Sequence, residues 1–389
     1  MTNSDVAVKR KRITHIIEEE TNGISYKALQ YSLDNDRSSL DYGGSDNGTL
    51  VWKKRGETDP PPTKYKSLER LSKILATRGE QVLTYFLDGS RHVYKVDDMA
   101  YTLSGGRKAI YPIIAGQIGV AICKRQNKMV SREDMIREIV ISIPRVADAD
   151  GKGGAFEALA LKLNNSAELT RIQQCGWNFS TPIPYDSSKD GKKYEDLGTA
   201  KIQDRMMKLE KEMVKKLVRQ GKLNQDNYLV KDGSLEYREK SYQAFKQNYN
   251  WVIGLSKSFN PEACFDKGKV DPGYIAETPL YHRTHVAYFE SDKDLAFAVW
   301  YVRIRDKSKT RTPFDGILKV EKILVYDEEI NNGMETETVD RLTALIINER
   351  NPTCYGTDTR WANHIYPIYL TEMFVKSLYL STESFLHLF

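Results

Sequence analysis

Apolar positions along the chain follow two rhythms, and the change between them maps the elements. From Gln81 to Leu87 the run QVLTYFL is dense in strand formers and stops at Asp88-Gly89-Ser90, which predicts a strand ending there and a second strand over His92 to Val96. Further apolar runs at Ala109 to Cys123 and Ile139 to Ile143 predict that the sheet continues as an antiparallel meander. Between Asp204 and Arg219 the rhythm changes. Met206, Met207, Leu209, Met213, Val214, Leu217 and Val218 recur at helical spacing, so an amphipathic helix is predicted there. The run NYLVKDGSL then predicts a short strand closing at Asp232-Gly233-Ser234. Later strands are predicted over Trp251 to Leu255, His285 to Phe289, Leu295 to Arg303 and Gly316 to Val325, with helices over Glu335 to Ile347 and Pro367 to Tyr379. The class expected from this alternation is α/β, a mixed sheet flanked by helices.

Other stretches are less regular. Ile13 to Leu33 reads as a small helical or mixed element of an N-terminal extension. Asp41 to Lys64 collects Gly43, Gly44, Gly48, Gly56 and the run Pro60, Pro61, Pro62, which opposes regular structure and predicts a surface loop. The division drawn from this is an extension and loop over 1–65 and a main domain over 66–389. Asp148 to Gly198 gives no assignment. The tail Phe385 to Phe389 is apolar for a terminus and is expected to pack on its own domain or dock on a second subunit or another partner.

Composition narrows the class. The 389 residues are 40% hydrophobic and 29% charged, and no apolar run approaches the roughly 18 residues of a spanning helix. The start is polar and then basic (Lys9, Arg10, Lys11, Arg12), without the apolar stretch of a secretory signal. A protein outside the membrane and in the cytoplasm is expected. Cys123, Cys175, Cys264 and Cys354 lie far apart with no CxxC pair, so reduced thiols are expected rather than a zinc ribbon or redox motif. The net charge of +5, from 58 basic and 53 acidic residues, permits nucleic-acid binding without requiring it.

The candidate chemistry is acidic. Asp88 and Asp232 each follow a predicted strand and precede Gly-Ser, which places two carboxylates at strand ends, where sites form in open α/β sheets. Read singly, either Asp-Gly is a turn signal. Between them, Glu210 falls within the apolar arc of Met206, Met213, Val214 and Leu217. A carboxylate in a buried stripe must be ion-paired, protonated or bound to a metal. Asp88, Glu210 and Asp232 together form an oxygen donor set suited to Mg²⁺ or Mn²⁺. Two such ions about 4 Å apart can drive phosphodiester hydrolysis by activated water. That mechanism needs no His or Cys nucleophile, and the chain has only 6 histidines.

The same segments carry a family resemblance. Tyr85-Phe86-Leu87-Asp88-Gly89-Ser90 resembles the first motif of the NurA nucleases, and Tyr228-Leu229-Val230-Lys231-Asp232-Gly233-Ser234-Leu235 the second. Arg205 to Glu210 resembles the family helix that supplies a glutamate, and Val252 to Ser258, containing Lys257, the segment after the second aspartate. Tyr366-Pro367-Ile368-Tyr369-Leu370-Thr371-Glu372 resembles the closing Tyr-Pro helix. These pieces occur in family order from about Gln81 to Leu380. The resemblance implies an RNase H-like fold and DNA cleavage, endo- or exonucleolytic, dependent on manganese or magnesium. It also implies a homodimer working with a hexameric HerA-type ATPase that translocates on DNA, in end processing or anti-phage defence. The site residues it implies are Asp88, Glu210, Asp232, Lys257 and Tyr366. One departure stands out: the family histidine eight residues after the closing tyrosine is Phe374 here. Its function has then moved, for example to His364, or is dispensable. The alternative reading is a catalytically silent adaptor that binds DNA or the ATPase. An unrelated α/β binding protein, with the acidic residues as turns and an ion pair, is the third.

Lys257, just beyond a buried strand, is expected either to hold a phosphate or attacking water near the metals or to be solvated. Arg303 and Arg305 either line a DNA channel through phosphate contacts or form a solvated sheet face. Asp148 and Asp150 resemble a calcium loop only superficially, because Leu159 stands at the twelfth position, where the loop needs glutamate. Gly105-Gly106-Arg107 lacks the spacing and the Lys-Ser/Thr of a phosphate-binding loop. No ATPase motif is visible.

Overall fold

The computed structural model describes residues 12–34, 56–103, 105–148, 151–186, 191–236, 246–261, 265–266, 269–291, 295–350 and 361–389. Three long strands, β1 (Leu83–Thr102), β2 (Lys108–Gln126) and β3 (Met129–Pro144), form an antiparallel meander. β4 (Tyr228–Asp232) lies parallel to β1, and β5 (Val252–Ser256) parallel to β4. The sheet continues antiparallel through β8 (Ile317–Ile323), β7 (Leu295–Arg303) and β6 (Ala287–Ser291). Its main order is therefore β3-β2-β1-β4-β5-β8-β7-β6. The α/β class and the mixed sheet flanked by helices are as the periodicity predicts.

The principal helices are α1 (Ile13–Thr21), α2 (Glu69–Arg78), α3 (Gly154–Asn164), α4 (Tyr194–Arg219), α5 (Thr336–Asn348), α6 (Tyr366–Lys376) and α7 (Thr382–Leu386). Successive strand residues face opposite sides of a sheet, and this alternation sorts the core. On one face Tyr85, Leu87 and Leu229 pack with Met206, Leu209 and Met213 of α4. On the other, Phe86, Val230 and Ile253 pack with Val339 and Leu342 of α5 and Ile368 of α6. Complete burial of such side chains contributes about 1.5–3 kcal/mol each relative to exposure.

Several expectations are corrected. Asp88-Gly89-Ser90 is not a turn, because β1 runs through it with unbroken pairing to β2, Asp88↔Ala121, Gly89↔Val120 and Ser90↔Gly119. What ends there is the pairing on the other side, whose last partners are Leu87 and Lys231. Backbone partners on β2 hold the dipeptide extended, which a local turn propensity cannot overcome. α4 begins at Tyr194, not Asp204, so the unassigned region holds its first turns, α3, and two short strands, Asn178–Phe179 and Ile183–Tyr185, that join β3.

Of the expected surface loop, 41–55 lies outside the described residues. Glu57 is buried, with Oε2 2.6 Å from Arg283, whose Nε bonds Asp340 at 2.7 Å. The N-terminal segment also packs inward. Ile13 and Ile17 of α1 join Tyr94, Phe156, Phe385 and Phe389 in a third apolar cluster. Thr14 Oγ1 donates to the Phe389 carbonyl at 2.8 Å, so the tail packs on its own chain. Cys123 and Cys175 are free thiols. Cys264, Cys354 and Asp150 lie outside the described residues. Among the described residues no helix is long and apolar enough to cross a membrane.

Candidate active site

The pairing Leu87↔Lys231 fixes what comes next on both strands. Asp88 and Asp232 follow one residue later on neighbouring parallel strands, on the face that carries Phe86 and Val230. β5 continues the parallel set and delivers Lys257 just past its last residue, Ser256. The Lys257 Nζ stands 3.0 Å from Asp232 Oδ2 and 3.5 Å from Glu372 Oε2. Its backbone is pinned as well, since Asn363 Nδ2 donates to the Lys257 carbonyl at 2.7 Å. Lys257 is thus neither solvated nor distant from the acidic pair.

Glu372 is the residue that sequence reasoning missed. It lies on the buried face of α6 with Ile368, Thr371 and Val375, the signal that singled out Glu210 on α4. Its Oε1 accepts from Lys376 Nζ at 2.7 Å. α6 reaches the sheet closely because Gly119 of β2 has no side chain: a Cβ there would lie 2.5 Å from Val375 Cγ1. The Gly119 N–H also donates to the Tyr379 hydroxyl at 3.2 Å, which ties the chain after α6 to the strand beside Asp88.

Electrostatics follow from this packing. Asp88 is 5% exposed and its Oδ2 has no hydrogen-bond partner. Burial, then the charge of Asp232, raise its carboxyl well above the ordinary range, and Lys257 only partly opposes them. For Lys257 burial disfavours the ammonium, but Asp232, Asp88 and Glu372 outweigh it and raise its pKa. Burial pushes Glu372 up, yet Lys257 and Lys376 prevail and bring it down to about 2, with His364 adding to the lowering.

Glu210 is buried, as its position in the apolar arc requires, but it approaches from the opposite face. A Cβ on Gly89 would sit 2.6 Å from Glu210 Oε1 and against Met206, so Gly89 is the gap through which the carboxylate touches the strand. Its Oε2 pairs with Lys231 Nζ at 3.1 Å. Lys231 also donates to the carbonyls of Asp232 at 2.8 Å and Ser234 at 3.3 Å. Glu210 therefore bears on Asp88 across the strand rather than beside it.

The remaining candidates divide. Tyr366 opens α6, and its backbone N–H donates to the Glu349 carbonyl at 2.8 Å; no described contact joins its hydroxyl to the acidic group. Phe374 follows Glu372 by two positions, about 200° around the helix, so a histidine there would point away from Asp88. His364 is buried near Glu372 and packs edge-on against Tyr369, 5.6 Å between rings. Arg303 is fully buried and donates to the carbonyls of Thr278, Asp315, Ala276 and Pro313. It is neither a DNA contact nor a solvated residue, because a guanidinium at the end of an inner strand must satisfy its donors internally. Arg305 is buried too, donating to the Arg350 carbonyl and lying over Trp361 at 5.8 Å. Asp148 accepts from the N–H groups of Gly153 and Ala155, so it closes the turn into α3.

Among the described residues no group of three or more Asp, Glu, His or Cys side chains forms a ready metal cage. Mg²⁺ and similar ions do not need one, since they keep several waters and take one or two carboxylates plus substrate phosphate. Asp88, with its orphaned buried oxygen, and Asp232 fit that pattern. Glu210 Oε2 likewise makes no hydrogen bond of good geometry, but it is ion-paired with Lys231 at 3.1 Å and lies on the opposite face of the strand from Asp88.

The sequence matches no family model and no curated protein. Among solved structures the chain is similar to the crystal structure of the NurA nuclease from Sulfolobus solfataricus, at 10% identity and a TM-score of 0.39, over 82% of this chain and 90% of that one.

Proposed function

We propose that this chain is a divalent-metal-dependent deoxyribonuclease of the NurA type with an RNase H-like core, hydrolysing DNA phosphodiester bonds with an activated water. The observation that carries the reading is the buried, unpartnered Oδ2 of Asp88 beside Asp232, on adjacent parallel strands and under a fixed ammonium group. Burying an unpaired carboxylate oxygen is costly, and a hard cation relieves that cost. An antiparallel meander, then a long helix, then two strands parallel to the first supports the RNase H-like part of the reading. The NurA-type motifs at Asp88 and Asp232 support the family.

In this reading Asp88 and Asp232 hold Mn²⁺ or Mg²⁺. A bound divalent ion supplies a water of lowered pKa and offsets charge on the phosphoryl oxygens. Lys257 places a permanent positive charge where the phosphate arrives. Glu372 fixes Lys257 from the α6 side, and α5 and α6 close the face against bulk water. Glu210, reaching Gly89 from behind, sets the strand carrying Asp88 in place. The same family reading includes a homodimer and a HerA-type hexameric ATPase as partner, which light scattering and co-purification test separately.

The competing reading is a silent adaptor, favoured by Phe374 and by the Glu210–Lys231 pair. Cleavage of linear and circular DNA with Mn²⁺, Mg²⁺ or EDTA, with and without the ATPase, decides between them. Metal-dependent cutting that disappears in Asp88→Asn supports the nuclease. Equal cutting by the variant refutes the site, and no cutting in any condition favours the adaptor.

A further inference from the structure

We infer that Lys257 stands where a second metal ion would, so that the site takes one divalent cation per chain and uses a lysine ammonium as the companion charge; the inference rests on the nuclease reading of the site. Three observations carry it. The first is position. Lys257 Nζ lies between Asp232 Oδ2 at 3.0 Å and Glu372 Oε2 at 3.5 Å, so two of the three carboxylates on this face already share one cation. The lysine is 8% exposed and its carbonyl is held by Asn363, so it does not swing out to solvent to make room.

The second is donor supply. Glu372 Oε1 is engaged by Lys376, and Glu210 on the other face by Lys231. Two buried oxygens beside this ammonium lack a hydrogen-bond partner: Glu372 Oε2, which Lys257 Nζ already faces at 3.5 Å, and Asp88 Oδ2, nine-tenths buried and with no cation of its own. One ion held by Asp88 and Asp232 would satisfy Asp88, and among the described residues the other oxygens of this group stay committed to Lys257 and Lys376.

The third is charge. Asp88, Asp232 and Glu372, when ionised, exceed Lys257 and Lys376 by one negative charge. One divalent ion together with one phosphodiester closes that group to neutrality, whereas a second ion leaves an excess of positive charge in a buried site, which is strongly unfavourable. The approach is also defined: the side chains of Asp232 and Lys376 are 21% and 40% exposed, so the phosphate enters past them and meets Lys257 at the floor.

The test counts ions rather than turnover. Mn²⁺ is titrated calorimetrically into the intact protein and its Asp88→Asn, Lys257→Arg and Lys257→Met variants, and only ions lost in Asp88→Asn are counted. One ion per chain is expected for wild type and for Lys257→Arg. Lys257→Met is expected to admit a second ion or to bind the first about tenfold more tightly, because a like charge a few ångströms away has gone. If Lys257→Met unfolds without metal, its melting in a Mn²⁺ series gives the same reading, with a larger metal-dependent rise than wild type. Two Asp88-dependent ions on wild type that cleaves DNA overturn the inference and leave the nuclease standing, as does weaker metal binding by Lys257→Met. Absence of both Asp88-dependent binding and metal-dependent cleavage overturns the nuclease reading, and this inference with it.

Discussion

Asp88→Asn should stabilise the protein without metal and destabilise it with metal, a reversal that few other roles for a buried aspartate produce. Burial and Asp232 raise the folded carboxyl above its unfolded value, which lies near 3.9. Between those two values the folded chain keeps a proton that the unfolded chain has lost, so this group's contribution falls as pH rises through the window and is complete only below it. At pH 8 wild type carries the penalty of a buried, unpartnered oxygen, about 1–3 kcal/mol. Asparagine cannot ionise, and its amide can donate to Asp232. The variant should therefore melt on the order of 1–4 °C higher in EDTA at pH 8, and the gap should close as the pH approaches 4. With Mn²⁺ at about a hundred times its Kd, wild type gains about 2.7 kcal/mol and the order reverses. Calorimetric melting across pH, with EDTA or Mn²⁺, measures both arms. A variant that is less stable in EDTA at pH 8, or that Mn²⁺ stabilises as much as wild type, would refute the reasoning.

Other perturbations probe the surrounding structure. Gly89→Ala puts a Cβ 2.6 Å from Glu210 Oε1 and should cost about 1–3 kcal/mol in urea unfolding; an unchanged midpoint would show that Glu210 does not press on the strand. Glu372, held down to about 2 by Lys257 and Lys376 against burial, contributes stability present above its unfolded value and lost as pH falls toward 2. Acid titration of Glu372→Gln should thus show a flatter loss over that range, by on the order of 3 kcal/mol, and a slope equal to wild type would count against the ion pairs. Arg303→Lys strands several buried carbonyls and should cost about 3 kcal/mol or more. DNA affinity of the folded fraction should not change, and a selective loss of binding would restore Arg303 as a DNA contact.

Local patterning was enough to read the α/β class, the inner strands and the buried carboxylate of α4. Leu295–Arg303 was legible to the residue because an inner strand reads as a continuous apolar run, and Glu210 because a charge interrupts a helical stripe. The family-like motifs marked Asp88 and Asp232 at positions that neighbouring strands do bring together. Tertiary structure decided the rest. Whether Asp-Gly turns or stays extended depends on β2, whose pairing continues past Asp88. The face from which Glu210 approaches depends on the side of the sheet that α4 occupies, which helical spacing cannot encode. Glu372 lies more than a hundred residues from Lys257 in sequence, and only the docking of α6 on Gly119 makes them partners. Arg303 looked like an exposed basic residue because the carbonyls that enclose it belong to loops remote in sequence. Periodicity reports which side of an element is buried; what that side meets is set by long-range pairing, and there the chemistry of this chain is assembled.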